Sequence, residues 1–502
     1  MIDKYAVLKK YFGYNSFRKG QQEIIDSILG GRDVLAVMPT GAGKSLCYQI
    51  PALMLRGITL VVSPLISLMQ DQVRILKASG VPAAYLNSSL TPAQIRLATE
   101  RAAQGWYKII YVAPERLMSE NFIEFAVHAD ISMVAVDEAH CISMWGHEFR
   151  PGYRKISEFV NKLPFRPVIA AFTATADGKV RYDISKMLCL RNYFQYSSGF
   201  DRPELYFSAV CMDNGERDFE HDKGLNFLIS YIKGHKEESG IVYCVTRGQT
   251  QAVYEALAEE DIRSCIYHAG IDNQTRKQIQ EDFTFDRVKV IIATNAFGMG
   301  IDKPDIRYVI NYGMPPTIED YYQQAGRAGR DGQPADCILL YDNKGYMLIK
   351  NSFILRPRED DEMSPEDRRK YISVQLSKLS KMYRYAFSDK ICLRKQILEY
   401  FGEKAPKKCN NCSVCRKISL IQVQKTTVDY DKELYEKLRS HIKILSIRSG
   451  LPVYAIASYS VLQEIAKAKP KNMSELRKIK GLSEEKLRRY GQDIIDITSK
   501  YK

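Results

Sequence analysis

Three sets of residues have types and spacings that could do chemistry. In "VMPTGAGKSLCYQ", Thr40, Gly41 and Gly43 form a loop whose glycines would let the backbone turn closely around phosphates. Lys44 could reach the terminal phosphates, and the Ser45 hydroxyl could ligate Mg²⁺. The strict G-x-x-x-x-G-K-[ST] pattern is broken by Met38, which stands where its first glycine would be. "SMVAVDEAH" then ends an apolar run on Asp137 and Glu138. Two adjacent carboxylates are usually a solvated turn. At the end of a buried strand they are placed for ligand chemistry, Asp137 to hold Mg²⁺ through a water and Glu138 to polarise an attacking water. The loop and the pair together predict ATP hydrolysis. The third set, Cys392, Cys409, Cys412 and Cys415, follows C-x16-C-x2-C-x2-C, which suits tetrahedral Zn²⁺ better than a redox thiol pair.

Such residues need rigid elements to hold them. Short β-branched runs recur at 33–38, 58–63, 108–113, 132–136 and 167–172, with helical patterns between them. A second series follows at 240–245, 263–268, 288–294, 306–312 and 335–341. Both series predict parallel sheets buried on two faces, so the fold class is α/β with two tandem sheet domains joined near residues 197–204. From about residue 345 the alternation stops and the chain reads as helical. The expected boundaries are 1–200 and 201–340 for the two α/β domains, 341–420 for a helical zinc-binding subdomain, 421–429 for a linker and 430–502 for a small all-α domain.

The formal net charge is +14, and its distribution is uneven. Residues 341–502 carry 35 Lys and Arg against 20 Asp and Glu, net +15, which leaves −1 for the rest. An excess confined to one third of the chain favours a polyanion partner, nucleic acid rather than a membrane surface, because no amphipathic anchor is evident. The N-terminus lacks a basic head followed by an apolar stretch, and the longest apolar stretch is interrupted by Arg56, Gly57 and Pro64. The remaining seven of the 11 cysteines are scattered among apolar neighbours, as in a reducing cytoplasm.

In order and spacing, "TGAGKS", "DEAH", "TAT" (173–175), "ATNAFGMGIDKP" (293–304) and "QQAGRAGRDG" (323–332) resemble the motif set of superfamily-two helicases. "FGYNSFRKGQQEII" (12–25) and "AHCISMWGHEFRP" (139–151) resemble segments specific to the RecQ family of DNA helicases. The resemblance covers nearly the whole chain. It implies two RecA-like domains, a zinc subdomain and a terminal HRDC-like domain.

By position it implies that Tyr14 stacks on adenine, that Arg18 packs beside it and that Gln21 bonds the base edge. From the second domain, Gln323, Arg327 and Arg330 would complete the ATP site, with Arg330 as the arginine finger. On the DNA side, His140, Trp145, His147, Phe149 and Arg150 form the family's aromatic-rich loop, whose rings could stack on bases and whose guanidinium could meet phosphate. Ser63, Thr173, Thr175, Arg247 and Thr294 are implied backbone contacts. In the last domain, Lys467, Lys469, Lys471, Arg477, Lys478, Lys480, Arg488 and Arg489 are candidate phosphate contacts, although the same charges serve equally well as solvated helix faces. Lys19, Met144, Glu148 and Gln324 depart from the family's usual proline, glutamine, aspartate and glutamate.

The implied activity is ATP- and Mg²⁺-dependent 3′-to-5′ unwinding of single-stranded-tailed or branched DNA in replication, recombination and repair. The expected protein is a monomer, cytoplasmic and nucleoid-associated, with single-stranded-DNA-binding or repair proteins as partners. Two rival readings are a translocase that unwinds little and a non-enzymatic clamp switched by nucleotide. RNA as the track also stays open. Most relatives place a winged-helix domain after the zinc module, but residues 416–429 are too few to hold a domain.

Overall fold

The structure, a computed structural model, describes residues 3–39, 41–64, 66–87, 89–143, 150–212, 223–297, 303–356, 365–417 and 430–501. They form two compact units, residues 1–199 with 426–502, and residues 200–425. The expected series of four domains is thus grouped so that the C-terminal helical domain packs with the first sheet domain.

The first unit is built on seven parallel strands, β1 (Val34–Val37), β2 (Ile58–Val62), β3 (Ala83–Leu86), β4 (Ile109–Val112), β5 (Ile131–Val136), β6 (Val168–Thr173) and β7 (Phe194–Ser197), in the order β3-β4-β2-β5-β6-β1-β7. The central strands are continuous apolar runs because helices cover both faces. All C-terminal ends point the same way, so Ser63, Asp137, Thr173 and the loop after β1 line one edge, where a parallel α/β sheet binds its ligand. The C-terminal helices, Lys432–Ser449, Val453–Ile456, Tyr459–Ala468, Met473–Leu476 and Glu484–Thr498, surround their own core of Leu434, Leu438, Ile442, Leu462, Ile465 and Leu476. They rest on the N-terminal segment, where Gly481 N–H donates to the Gly13 carbonyl at 3.2 Å and Lys9 Nζ donates to the Arg477 carbonyl at 3.2 Å.

The second unit has six parallel strands, β8 (Leu205–Cys211), β9 (Ser239–Cys244), β10 (Ser264–Tyr267), β11 (Val290–Ala293), β12 (Ile306–Tyr312) and β13 (Ala335–Tyr341), in the order β10-β11-β9-β12-β13-β8. An isolated bridge joins Phe207 on the edge strand β8 to Cys412, so the cysteine-bearing segment covers that edge. No helix among the described residues is long and apolar enough to cross a membrane.

Candidate functional site

The phosphate loop is shaped by glycines at positive φ. Gly41 and Gly43 both have φ 84°, and Gly43 caps the helix Lys44–Met54, whose N-terminus is a ready anion site. A Cβ on Gly43 would lie 2.4 Å from Gln21 Nε2, so no side chain fits there. Met38 is buried directly after β1, where its N–H donates to the Thr173 carbonyl at 2.9 Å. The cradle therefore begins after it, and the missing first glycine is not part of the turn. Lys44 Nζ donates to the Met38 carbonyl at 3.2 Å, back across the loop.

Two of the residues implied to grip adenine also hold this loop. Gln21, only 2% exposed, donates from Nε2 to the Gly43 carbonyl at 3.1 Å, and its Oε1 accepts the Arg18 N–H at 2.8 Å. Arg18 Nη1 donates to the Gly41 carbonyl at 2.6 Å. Tyr14 is exposed and open to a stacking partner. Thr40 lies outside the described residues.

Asp137 ends β5, and its backbone is pinned on both sides: its N–H donates to the Val62 carbonyl at 2.9 Å and its carbonyl accepts the buried Tyr153 hydroxyl at 2.9 Å. Ser45, in the first turn of the helix Lys44–Met54, and Asp137, directly after β5, stand at the same edge of the sheet, where they could hold one magnesium ion. Burial pushes the Tyr48 hydroxyl well up, with Tyr111 and the Asp137 charge adding to it and a hydrogen bond to Ser45 opposing it. Glu138 has φ 47°, a left-handed conformation that a non-glycine residue adopts at some cost, and its N–H donates to Asp137 Oδ1 at 3.0 Å.

His140 departs from expectation. Its ring is 1% exposed, with Nδ1 2.8 Å from Thr173 Oγ1 and 3.4 Å from Glu138 Oε2. Thr173 gives its hydroxyl proton to the Thr175 carbonyl at 3.1 Å, so its lone pairs face the histidine and Nδ1 carries the proton. His140 and Thr173 are therefore partners in a buried bridge and offer no face to a base. Ser63 and Thr175, 0% and 4% exposed, have enclosed hydroxyls without a hydrogen-bond partner among the described residues. Arg150 does remain at the loop, where Nη1 donates to the Pro64 carbonyl at 3.2 Å. Trp145, His147 and Phe149 lie outside the described residues.

In the second unit, Arg247 opens the helix Arg247–Glu259 at the C-terminal end of β9 and is exposed. A Cβ on Gly270 would meet Arg247 Nη1 at 2.9 Å and His268 Nδ1 at 3.2 Å, so glycine there lets the guanidinium lie over the turn after β10. His268 is a candidate that sequence reasoning missed; its signal was a lone ring and a glycine directly after a strand. Thr294 ends β11 beside them and is nearly buried. Arg327 and Arg330 are brought together at Tyr243, whose hydroxyl is raised by burial but pulled back by both guanidiniums. Gln323 lies on the helix Ile318–Ala325, while its neighbour Gln324 accepts from Asn311 Nδ2.

The four cysteine sulfurs all lie within 4.8 Å of one another, and Cys392 Sγ is 3.9 Å from Cys412 Sγ. Tetrahedral zinc with bonds of about 2.3 Å needs edges of roughly 3.8 Å, so the set fits. Hydrogen bonds, first from Cys412, push the Cys409 thiol down, while the same pairing and burial push Cys412 up, so one sulfur gains thiolate character at the expense of the other. Among the eight cations of the C-terminal domain, Lys469 pairs with Asp431, Arg477 with Glu484, and Arg488 and Arg489 with Glu485. Half of the proposed phosphate contacts thus already have carboxylate partners.

Family matches follow this geometry. Residues 18–184 match the DEAD/DEAH box helicase family, 223–332 the helicase conserved C-terminal domain, 348–416 the RecQ zinc-binding family and 431–498 the HRDC domain. The chain is 39% identical over 491 residues to the ATP-dependent DNA helicase RecQ of Pasteurella multocida, covering 97% of this chain and 72% of that protein. It is 43% identical over 411 residues to the RecQ helicase of Bacillus subtilis, covering 82% of this chain and 66% of that one. Among solved structures, Saccharomyces cerevisiae Dbp5 bound to RNA and ADP BeF3 shares the fold with a TM-score of 0.54 at 18% identity, covering 73% of this chain and 94% of that one. Mycobacterium smegmatis Lhr bound to ssDNA and AMP-PNP does so with a TM-score of 0.55 at 14% identity, covering 92% and 73%.

Proposed function

Because the chain belongs to the RecQ family of ATP-dependent DNA helicases, we propose that it couples ATP hydrolysis to 3′-to-5′ movement along single-stranded DNA and so opens tailed or branched duplexes during replication, recombination and repair. The observation that carries this reading is the buried His140 ring, which bonds Thr173 Oγ1 at 2.8 Å and stands 3.4 Å from Glu138 Oε2, an oxygen with no hydrogen-bond partner of its own among the described residues. A simple hydrolase has no need to set its water-activating carboxylate beside a ring bonded to a neighbouring strand. A motor does, because a movement of the "TAT" backbone at the end of β6 can then reach Glu138 through the ring, even though the threonine hydroxyls themselves are enclosed.

In this reading Lys44 and the N–H groups at the start of the helix Lys44–Met54 hold the β- and γ-phosphates. Glu138 orients a water and accepts its proton, while Arg330 supplies positive charge to the departing phosphate. Magnesium held by Ser45 and Asp137 would neutralise the phosphate oxygens when bound. Tyr14, Arg18 and Gln21 make base recognition conditional on loop shape, since two of them already hold the loop's carbonyls. Arg150 in the first unit and Arg247 and His268 in the second are assigned to contacts with the strand.

One observation favours a translocase that unwinds little: residues 416–429 leave no room for a duplex-splitting winged helix after the zinc cluster. Strand displacement decides between the two readings. Each base-pair step holds roughly 1.4 kcal/mol of stacking, so a motor pulling one strand should still open a 3′-tailed duplex and leave a blunt one closed. DNA-stimulated ATPase without displacement of tailed duplex would support the translocase. Near-normal turnover in Glu138→Gln, which can bind but not accept the water's proton, would remove the catalytic assignment.

A further inference from the structure

Arg202 sits in "FDRPE", the segment entering β8, and is 8% exposed. Its guanidinium pairs with Glu204 and reaches into the turn that carries the two candidate catalytic arginines. Nη2 donates to the carbonyls of Ala328 at 2.9 Å and Gly329 at 3.2 Å, and Nη1 donates to Gly326 at 3.4 Å. Those acceptors flank Arg327 and directly precede Arg330. The far side of the turn is held separately, by Arg307 Nη2 on Asp331 at 2.7 Å and by Gly329 N–H on the Ile306 carbonyl at 3.0 Å. The turn is thus clamped between two guanidiniums, leaving its own arginines to project from a fixed backbone.

The segment holding Arg202 is itself held by residues beside the zinc ligands. Arg394, two residues after Cys392 and 5% exposed, bonds Asp201 at 2.7 Å and the carbonyls of Arg202 and Leu205. Asn411, next to Cys412, donates from Nδ2 to the carbonyls of Pro203 at 2.9 Å and Leu205 at 3.2 Å. Phe200 N–H donates to Glu403 at 2.6 Å, and the Phe200 ring stacks on Phe401 with centroids 4.3 Å apart. A buried planar fork suits several converging carbonyls in a way that a single ammonium cannot.

We propose that Arg202 is a positioning residue that ties the four-cysteine zinc cluster to the arginine-finger turn, so that an intact cluster sets the orientation of Arg330. The proposal rests on the reading of Arg330 as the finger. It makes the zinc module part of the ATPase apparatus through the path from Cys392 and Cys412, by Arg394 and Asn411, to the Arg202 segment and the turn.

The test uses the full-length zinc-loaded protein and the variants Arg202→Lys, Arg394→Lys and Arg330→Ala. Arg202→Lys keeps the charge beside Glu204 but cannot span the carbonyls. It should lower DNA-stimulated kcat roughly tenfold or more, with binding of a fluorescent ATP analogue and zinc content unchanged. Placed on Arg330→Ala it should cause no further fall, because groups acting as one unit are not additive. Arg394→Lys should reproduce the loss of kcat with zinc still bound. A merely structural role would lower zinc content or melting temperature in step with activity, and its effect would multiply with that of Arg330→Ala; either result overturns the proposal. Wild-type kcat in both lysine variants, beside an inactive Arg330→Ala, would overturn the wiring and spare the finger. An active Arg330→Ala would overturn both.

Discussion

Replacing His140 with alanine tests whether the buried bridge serves turnover. The ring is 1% exposed; its Nδ1–H bonds Thr173 Oγ1 at 2.8 Å, and the same nitrogen stands 3.4 Å from Glu138 Oε2. The variant loses the hydrogen bond to Thr173, about 0.5–1.5 kcal/mol, together with the contact to Glu138. If that energy holds Glu138 in its productive position, the conversion at 1.36 kcal/mol per decade gives a fall in turnover of roughly 2- to 12-fold. ATP affinity should stay within about twofold, because neither Lys44 nor the glycine loop touches His140. Stimulation by single-stranded DNA should be lost along with rate, since the link to Thr173 is gone. His140→Asn, with an amide donor near the Nδ1 position, should recover part of the rate. The assay is single-turnover hydrolysis with and without single-stranded DNA, alongside binding of a fluorescent ATP analogue. Turnover in His140→Ala within twofold of wild type, with DNA stimulation intact, would refute the reasoning.

Cys412→Ser should release zinc and expose the β8 edge that Cys412 bridges, lowering the melting temperature and promoting aggregation; metal analysis that finds no zinc in wild-type protein would end the assignment. Asp336 is raised by burial above the ordinary carboxylate value even though the Tyr231 hydroxyl bonds it, so the folded state binds its proton more tightly than the unfolded chain. Its contribution is present below the unfolded value near 3.8 and lost as pH rises through the folded one; Asp336→Asn should flatten stability over that window, and an unchanged pH profile of melting temperature would count against it. Removing residues 430–502 should reduce the slope of log affinity against log salt by no more than about 3, because four of the eight candidate cations are already paired and each phosphate contact is worth about 0.7 on single strands. An unchanged slope would assign all eight to solvent.

Of the thirteen strands among the described residues, ten were legible from apolar runs, and the other three, β3, β7 and β8, are edge strands. In β7 and β8 partly exposed residues interrupt the run, alternating in β7 as Phe194, Gln195, Tyr196 and Ser197. β3, Ala83–Leu86, is mostly buried but short and without β-branched residues. The same reasoning explains what was read of the site. Glycines at positive φ, a lysine at a helix start and four clustered thiols are local signals, so the phosphate loop and zinc ligands could be read in place.

The residues that orient those groups carry no local signal. His140 looked like an exposed ring because polar loops after strands usually face solvent. Its partner Thr173 lies 33 residues away, and they meet only because β6 lies beside β5. Arg202 lies in the junction read near residues 197–204 and drew no reading of its own, yet its acceptors are 124 to 127 residues ahead and its own carbonyl is held from 192 residues ahead. In both cases a buried donor meets acceptors brought to it by the sheet order, and burial is what makes the arrangement stiff: a carbonyl or carboxylate left without its donor there would have no water to replace it. A sequence can therefore name the groups that react with ATP well before it names the groups that aim them, and substitutions at His140 and Arg202 should alter rate while leaving every signature motif intact.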